Sequence, residues 1–183
     1  MAVRPIRQLG DPILRARCES VKRVRSPAVR VVADDLQDTL RSLKARLGRG
    51  RGLAAPQIGA PLRIVYLEAD KPCFLVNPEI TDIGTEDFTV WDDCFSIPDL
   101  LVRVERAHSV KVTYLDLAGR QQDLEAEGPL AELLQHEIDH LDGVLMVDRP
   151  TGLDPFCLRS EWDKHYANEG RHGVPSTRET ERP

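Results

Sequence analysis

Residues 128–143 read GPLAELLQHEIDHLDG, and their spacing predicts a helix. Gly128-Pro129 opens it, because the fixed φ of proline suits a first helical turn, and Gly143 closes it. At about 100° per residue, Leu130, Leu133, Leu134, Ile138 and Leu141 fall on one apolar arc. The helix also carries His136-Glu137-Ile138-Asp139-His140, an H-E-x-x-H pattern. Histidines four residues apart share one helix face, so both imidazoles can reach a single metal ion. They sit at the edge of the arc, whereas Glu137 falls inside it. A carboxylate on a buried face is costly unless something compensates it, and a cation with its water is a natural compensation. Burial raises the Glu137 pKa while a cation lowers it. The same five residues occur by chance in many helices, solvated or as ordinary core hydrogen-bonders. The place of Glu137 in the apolar arc favours a metal site.

Two histidines do not complete such a site, since metal-assisted hydrolysis usually takes three protein ligands plus water. The metzincin pattern needs a third histidine six residues after the second, and that position is Met146. Two candidates remain. Glu161 lies downstream, as in thermolysin-like proteases. Cys94, within Trp91-Asp92-Asp93-Cys94-Phe95-Ser96, offers a thiolate, an excellent ligand. Spacing alone leaves both open.

Outward from this helix the chain reads as α+β. Ser26-Pro27 marks an N-cap and first turn, with Val32, Leu36, Leu40, Leu43 and Leu47 forming an amphipathic stripe that ends in the glycines 48–52. Strands are expected at Leu62 to Leu67, around Ile80, at Phe88 to Trp91, at Leu100 to Val104, at Val110 to Tyr114 and near Leu124. A weaker helical segment follows Pro155, with Phe156, Trp162 and Tyr166. A helix, a run of strands and a second helix give one α+β domain over 1–168. The polar, Gly- and Pro-containing stretch 169–183 is expected to be a disordered tail.

Composition narrows the function classes. A chain of 183 residues is one domain by default and can bury about 70% of its unfolded surface. Its 25 Lys plus Arg against 30 Asp plus Glu leave a net charge of −5, which argues against a general nucleic-acid binder. No apolar run approaches the roughly 18–20 residues of a membrane span. The N-terminus lacks an apolar signal region, and Asp11, Pro5 and Pro12 oppose a transit peptide. Cys18, Cys73, Cys94 and Cys157 show no Cys-x-x-Cys spacing. Reduced thiols and a cytoplasmic location are therefore expected.

Gly50-x-Gly52-x-x-Ala55 mimics a dinucleotide fingerprint, but a helix precedes it and Pro56 follows, so that reading is rejected. Arg49 and Arg51 are read as solvated charge rather than as an anion patch.

Together three blocks resemble the peptide deformylases. Gly50-Arg51-Gly52-Leu53-Ala54-Ala55-Pro56-Gln57 is similar to the family's G-x-G-L-A-A-x-Q. Asp92-Asp93-Cys94-Phe95-Ser96 resembles a variant of E-G-C-L-S, and Gln135-His136-Glu137-Ile138-Asp139-His140-Leu141 matches Q-H-E-x-D-H-L. Gly10-Asp11-Pro12-Ile13-Leu14-Arg15 is similar to the N-terminal G-D-P-x-L-R. The resemblance spans roughly residues 4–167. It implies antiparallel strands packed around a central helix that carries the H-E-x-x-H motif. It implies Cys94, His136 and His140 as metal ligands, with Fe(II) in the cell and zinc or nickel as replacements on isolation. Metal-activated water would be the nucleophile towards N-formyl-methionyl peptides. Glu137 would be general base and acid, and Gln57 and the backbone N–H of Phe95 the oxyanion donors. Gly50, Arg51, Gly52, Leu53 and Asp93 would line the substrate site, and Asp92 with Arg106 would support the metal ligands. Nascent chains as substrate imply transient contact with the ribosome, with no specific nucleic acid or membrane partner.

Four residues depart from that pattern. Asp92 stands for Glu and is one methylene shorter, which predicts looser support. Asp93 stands for Gly and sets a carboxylate beside the cysteine, near the expected substrate backbone. Phe95 replaces Leu, and Arg51 stands where an aliphatic residue is common, near the expected methionine pocket. These departures bear on substrate preference. The alternatives are an amidase for another N-acyl substrate, a metalloendopeptidase using Glu161, and a non-catalytic peptide binder.

Overall fold

The computed structural model describes residues 2–69, 71–166 and 176–177. Its first helix, α1 (Pro27–Leu47), starts where the sequence places it: the Ser26 side chain accepts from the Val29 N–H, and Pro27 occupies the first turn. It stops at Gly48, whose φ of 68° is the left-handed cap that favours glycine. Leu36, Leu40 and Leu43 are buried as the stripe requires, whereas Leu47 is 44% exposed. The helix ends there, so Leu47 has lost the sheet that covers the others.

A five-stranded antiparallel sheet is built from β1 (Gly52–Ala54), β2 (Ile64–Leu67), β3 (Cys73–Ile83), β6 (Ser109–Leu115) and β7 (Gln121–Glu127), in the order β1-β2-β3-β6-β7. All of Ile64, Val65, Tyr66 and Leu67 are buried because this part of the sheet is covered on both faces. Ile64, Tyr66, Val76 and Leu53 pack with Leu36 and Leu40 of α1. Val65, Leu67, Leu75, Val112 and Ala54 pack with Leu133, Leu134, Ile138 and Leu141 of the second long helix, α2 (Gly128–Leu141).

A second antiparallel sheet, ordered β8-β5-β4-β9, contains β4 (Glu86–Cys94), β5 (Ile97–Ala107), β8 (Phe156–Leu158) and β9 (Ser176–Thr177). The strands β4 and β5 run longer than their apolar cores suggest. Phe95 and Ser96 form the turn between them. Residues 156–158, expected to begin a helix, pair instead with Leu100 to Val102, and helix α3 covers only Arg159–His165. Three residues beside an open sheet edge gain backbone partners that an isolated helical turn lacks. Of the expected tail 169–183, Ser176 and Thr177 pair with Asp87 and Glu86, and the remainder lies outside the described residues. No helix among the described residues is long and apolar enough to cross a membrane. Strands thus surround α2, as the resemblance implies.

The N-terminal segment is tied down by α1. Asp35, 4% exposed, accepts from the Ala2 N–H at 2.8 Å and from Arg4 Nε at 2.7 Å. The Arg4 N–H donates to Thr39 Oγ1 at 2.9 Å. Burial alone would raise the Asp35 pKa, but these donors hold it below its ordinary value. A depressed folded pKa contributes stability above the unfolded pKa, and that contribution is lost as pH falls through the folded value. Asp35→Asn should therefore cost about 1–2 kcal/mol near neutral pH, read by urea titration, and should weaken the acid-side loss of stability. Identical midpoints at pH 7 would contradict this.

Candidate active site

Strand alternation sets up the site. On β4, Asp92 and Cys94 are buried, while Asp93 between them is half-buried. The register with β5 breaks between Asp93 and Cys94, a bulge of the kind that re-aims a side chain beside a functional site. On α2 the one-turn spacing of His136 and His140 brings both rings to Cys94. The three ligand atoms lie within 4.8 Å of one another, and all three residues are buried. Cys94 Sγ is 3.2 Å from His140 Nε2.

Of the two imidazoles His136 is oriented by a neighbour, whereas His140 Nδ1 is buried without a hydrogen-bond partner among the described residues. His136 Nδ1 lies 2.9 Å from Asp92 Oδ1 and 3.0 Å from Oδ2, which leaves Nε2 for a metal. Asp92 is 1% exposed and accepts from Arg106 Nη2 at 2.9 Å. Burial opposes its charge, but His136 and Arg106 overcome this and keep it ionised. The expected looser support is not found: the shorter Asp92 reaches both partners. Arg106 also donates to Asp139 Oδ2 at 2.5 Å, and Arg149 binds Asp139 at 2.8 Å through two nitrogens. Burial and the nearby His136 hold the His140 pKa well below its ordinary value, so the imidazole is neutral, the form that ligates.

Glu137 stands beside these groups, 4% exposed, with Oε2 lacking a hydrogen-bond partner. Burial pushes its pKa up to about 7; His136 opposes the rise, and the Asp92 and Glu132 carboxylates add to it. A buried thiol and two imidazoles beside an unmatched carboxylate suit a divalent first-row transition metal.

Gly50 and Gly52 shape the opposite wall. A Cβ on Gly52 would lie 2.5 Å from Glu137 Oε1. One on Gly50, whose φ is +118°, would lie 2.5 Å from the Phe95 ring. Gln57 is 1% exposed; its Oε1 accepts from the Ala54 N–H at 2.9 Å, and Nε2 lies 3.5 Å from Cys94 Sγ and 3.3 Å from Ser96 Oγ. Gly50, Arg51, Gly52, Gln57, Asp93 and Phe95 all line the cleft over Cys94 and Glu137. Leu53 does not. Its alternation on β1 turns it away from Gly52 and Ala54 into the core under α1, 0% exposed.

The arginines are not solvated charges. Arg51 Nη2 donates to Glu132 Oε2 at 2.6 Å and Nη1 to the Pro129 carbonyl at 2.8 Å. Arg49 pairs with Asp93 Oδ2, which also accepts from Arg159 Nη2 at 2.8 Å. The Asp93 carboxylate is therefore matched by two guanidinium groups. Glu161 is remote in character as well as in sequence: its side chain is 48% exposed on α3 and pairs with Lys164 at 2.8 Å. It takes no part in the Cys94–His136–His140 cluster.

Asp139, Glu132, Ser96 and Arg159 carried no role in the sequence reading. Helical spacing could have indicated Glu132, one turn before His136 on the same face. The contacts of Asp139 and Arg159 with β4 and β5 are tertiary and have no sequence signal. If Cys94 completes the metal set, Cys94→Ser should abolish retention of a divalent metal through gel filtration, measured by elemental analysis, and Glu161→Gln should leave it intact. The reverse pattern would assign the third ligand to Glu161.

Comparisons with known proteins agree with this geometry. Residues 3–155 match the family model described as polypeptide deformylase. A peptide deformylase of Mesorhizobium japonicum is 44% identical over 154 residues, covering 81% of this chain and 84% of that one. One from Dictyoglomus thermophilum is 39% identical over 148 residues, covering 80% and 92%. The crystal structure of peptide deformylase from Thermotoga maritima superimposes with a TM-score of 0.77 at 33% identity, over 83% of this chain and 100% of that one. A class I type b peptide deformylase from Acinetobacter baumannii, solved with Met-Ala-Ser bound, gives 0.74 at 31% identity over 81% and 98%. With the motifs and the fold in agreement over most of its length, the chain belongs to the polypeptide deformylase family.

Proposed function

We propose that this chain is a metal-dependent hydrolase that removes the N-formyl group from the N-terminal methionine of newly made polypeptides. The observation that carries the reading is the buried, unmatched Oε2 of Glu137 beside Cys94, His136 and His140 in one cleft. Those three residues would hold the metal, proposed to be Fe(II) in the cell, with zinc or nickel able to replace it. When bound, the cation supplies Lewis acidity, which activates water and polarises the formyl carbonyl.

The other steps belong to the protein. Glu137 accepts a proton at Oε2 from the attacking water and delivers it to the departing amine. A pKa near 7 suits a group that must do both. The Gln57 amide, fixed by its bond from the Ala54 N–H, is the proposed side-chain donor to the oxyanion, and the Phe95 backbone N–H is the second. Asp92 keeps His136 in one tautomer. Formate and a free N-terminus result. Nascent chains as substrate fit a cytoplasmic setting and transient proximity to the ribosome.

Protein loaded with Fe(II) without oxygen should release formate from formyl-Met-Ala-Ser. Glu137→Gln should lower kcat by about 10²–10⁴-fold while retaining the metal. Turnover unaffected by that change would remove Glu137 from the mechanism. Gly52→Ala pushes a methyl group against Glu137 Oε1. Its kcat should fall about 100-fold with KM less affected; a wild-type kcat would mean that Glu137 has room to move.

A further inference from the structure

The hairpin end that carries Cys94 and Phe95 is not held by its own strands alone. Cys94 lies opposite Ile97, but Asp93 lies opposite Leu101, so residues 98–100 of β5 have no counterpart on β4. A bulge of this kind leaves the ladder locally disrupted. Pro98 adds to the gap, because it has no N–H to donate. Beyond the gap is the turn 94–97, and both Cys94 and Phe95 line the cleft.

The Arg159 side chain spans this interruption. Leu158, at the end of β8, pairs with Leu100 inside the bulge, which delivers the next residue, Arg159 at the start of α3, to the gap. On the β4 side, Arg159 Nη2 donates to Asp93 Oδ2 at 2.8 Å. On the β5 side, Arg159 Nε donates to the Pro98 carbonyl at 2.9 Å. A guanidinium presents its donors in a rigid fork, so the two bonds set the spacing of the strands where the ladder does not. The Arg159 and Asp93 side chains are 23% and 14% exposed, so solvent screens the pair weakly. Arg49 pairs with the same carboxylate, and its guanidinium carbon sits 5.7 Å from the centre of the Phe95 ring. The Gln8 side chain and the Leu9 N–H donate to the Phe95 and Ser96 carbonyls; these bonds tie the turn to the N-terminal segment and do not cross the bulge.

We infer that Arg159 is a positioning residue: by bridging Asp93 and Pro98 it fixes the turn that brings Cys94 and the Phe95 backbone into the cleft, and so makes the cleft depend on α3.

The effect on turnover rests on the deformylase reading, which gives the Phe95 N–H to the oxyanion. That charge develops only as the reaction proceeds, so a displaced donor lowers kcat more than it raises KM. The bridge itself is geometric and is read without substrate.

Arg159→Met keeps the stem and removes both bonds. Arg159→Lys keeps the charge but offers a point donor in place of the fork. Lys164→Met, at a position of the same helix whose side chain is 61% exposed, is the control. Amide hydrogen exchange of the zinc-loaded protein, resolved by residue with NMR, reads the turn. Formate release from formyl-Met-Ala-Ser by the Fe(II)-loaded protein reads the consequence. In Arg159→Met, exchange at Phe95 and Ser96 should quicken by about tenfold or more, while Leu134 and Leu141 in α2 change less. Its kcat should fall by about tenfold or more, with KM less affected. Arg159→Lys should restore neither quantity, and the control should change neither. Unchanged exchange at the turn, equal quickening through α2, an equal effect in the control or full recovery by lysine overturns the inference. Local quickening with a wild-type kcat overturns it too, because a turn that moves without consequence positions nothing. A wild type that releases no formate refutes the deformylase reading instead, and exchange at the turn then decides alone whether Arg159 holds it.

Discussion

Arg106 is a guanidinium with 3% of its surface exposed, and the site depends on how its charge is met. Its partners are Asp92 on β4 and Asp139 on α2, so the ion pairs join the second sheet to the helix that carries the histidines. A buried charge that loses a partner typically costs about 3–5 kcal/mol. Strand and helix are therefore held in one relative position. The carboxylate that anchors Arg106 also receives His136 Nδ1. The contact that fixes the packing of β4 on α2 is thus the contact that orients the His136 ring. Arg149 completes the balance by binding Asp139 from outside.

The same constraint explains why α2 is so deeply enclosed. Its apolar face needs β1, β2, β6 and β7 on one side, where Ala54, Val65 and Val112 meet Leu134, Ile138 and Leu141. Its histidine face needs β4. A helix covered on both sides carries Glu137 into the interior, where burial lifts the carboxyl towards neutrality. The glycine wall follows from this enclosure. Gly52 has no side chain because Glu137 already occupies the space where one would stand. The Gly-x-Gly pattern is a packing requirement of the buried carboxylate and owes nothing to phosphate binding.

What the sequence displayed was whatever local rules control. Ser26, Pro27 and Gly48 bound α1 by capping chemistry alone, and the LRIVYL run announced a strand covered on both faces. The periodicity of residues 128–143 placed Glu137 on the buried side correctly. Tertiary geometry was not displayed. Cys94 and Glu161 were equal candidates by spacing, and only the β4 bulge and the exposure of α3 separate them. Residues 156–158 lack the alternation of a strand because a three-residue edge is specified by its neighbour, not by its own pattern. Leu53 sat inside a recognisable motif, yet strand alternation sends it to the core. The shorter reach of Asp92 is absorbed by the approach of its strand, which no count of methylenes reveals.

The departures from the family pattern have a common form. Asp93, an acid where glycine is usual, is met by Arg49 and by Arg159 from α3. Arg51, a base where an aliphatic residue is usual, is met by Glu132 from α2. Each charge brought near the cleft comes with an opposite charge from another element, as the cost of an unmatched charge at low exposure demands. Cys94, His136, His140 and Glu137 stay as the motif has them, while the walls around them exchange apolar contact for paired charge. The buried cluster and the wall residues answer to different constraints. The first must converge on one point in the cleft, and the second need only balance among themselves.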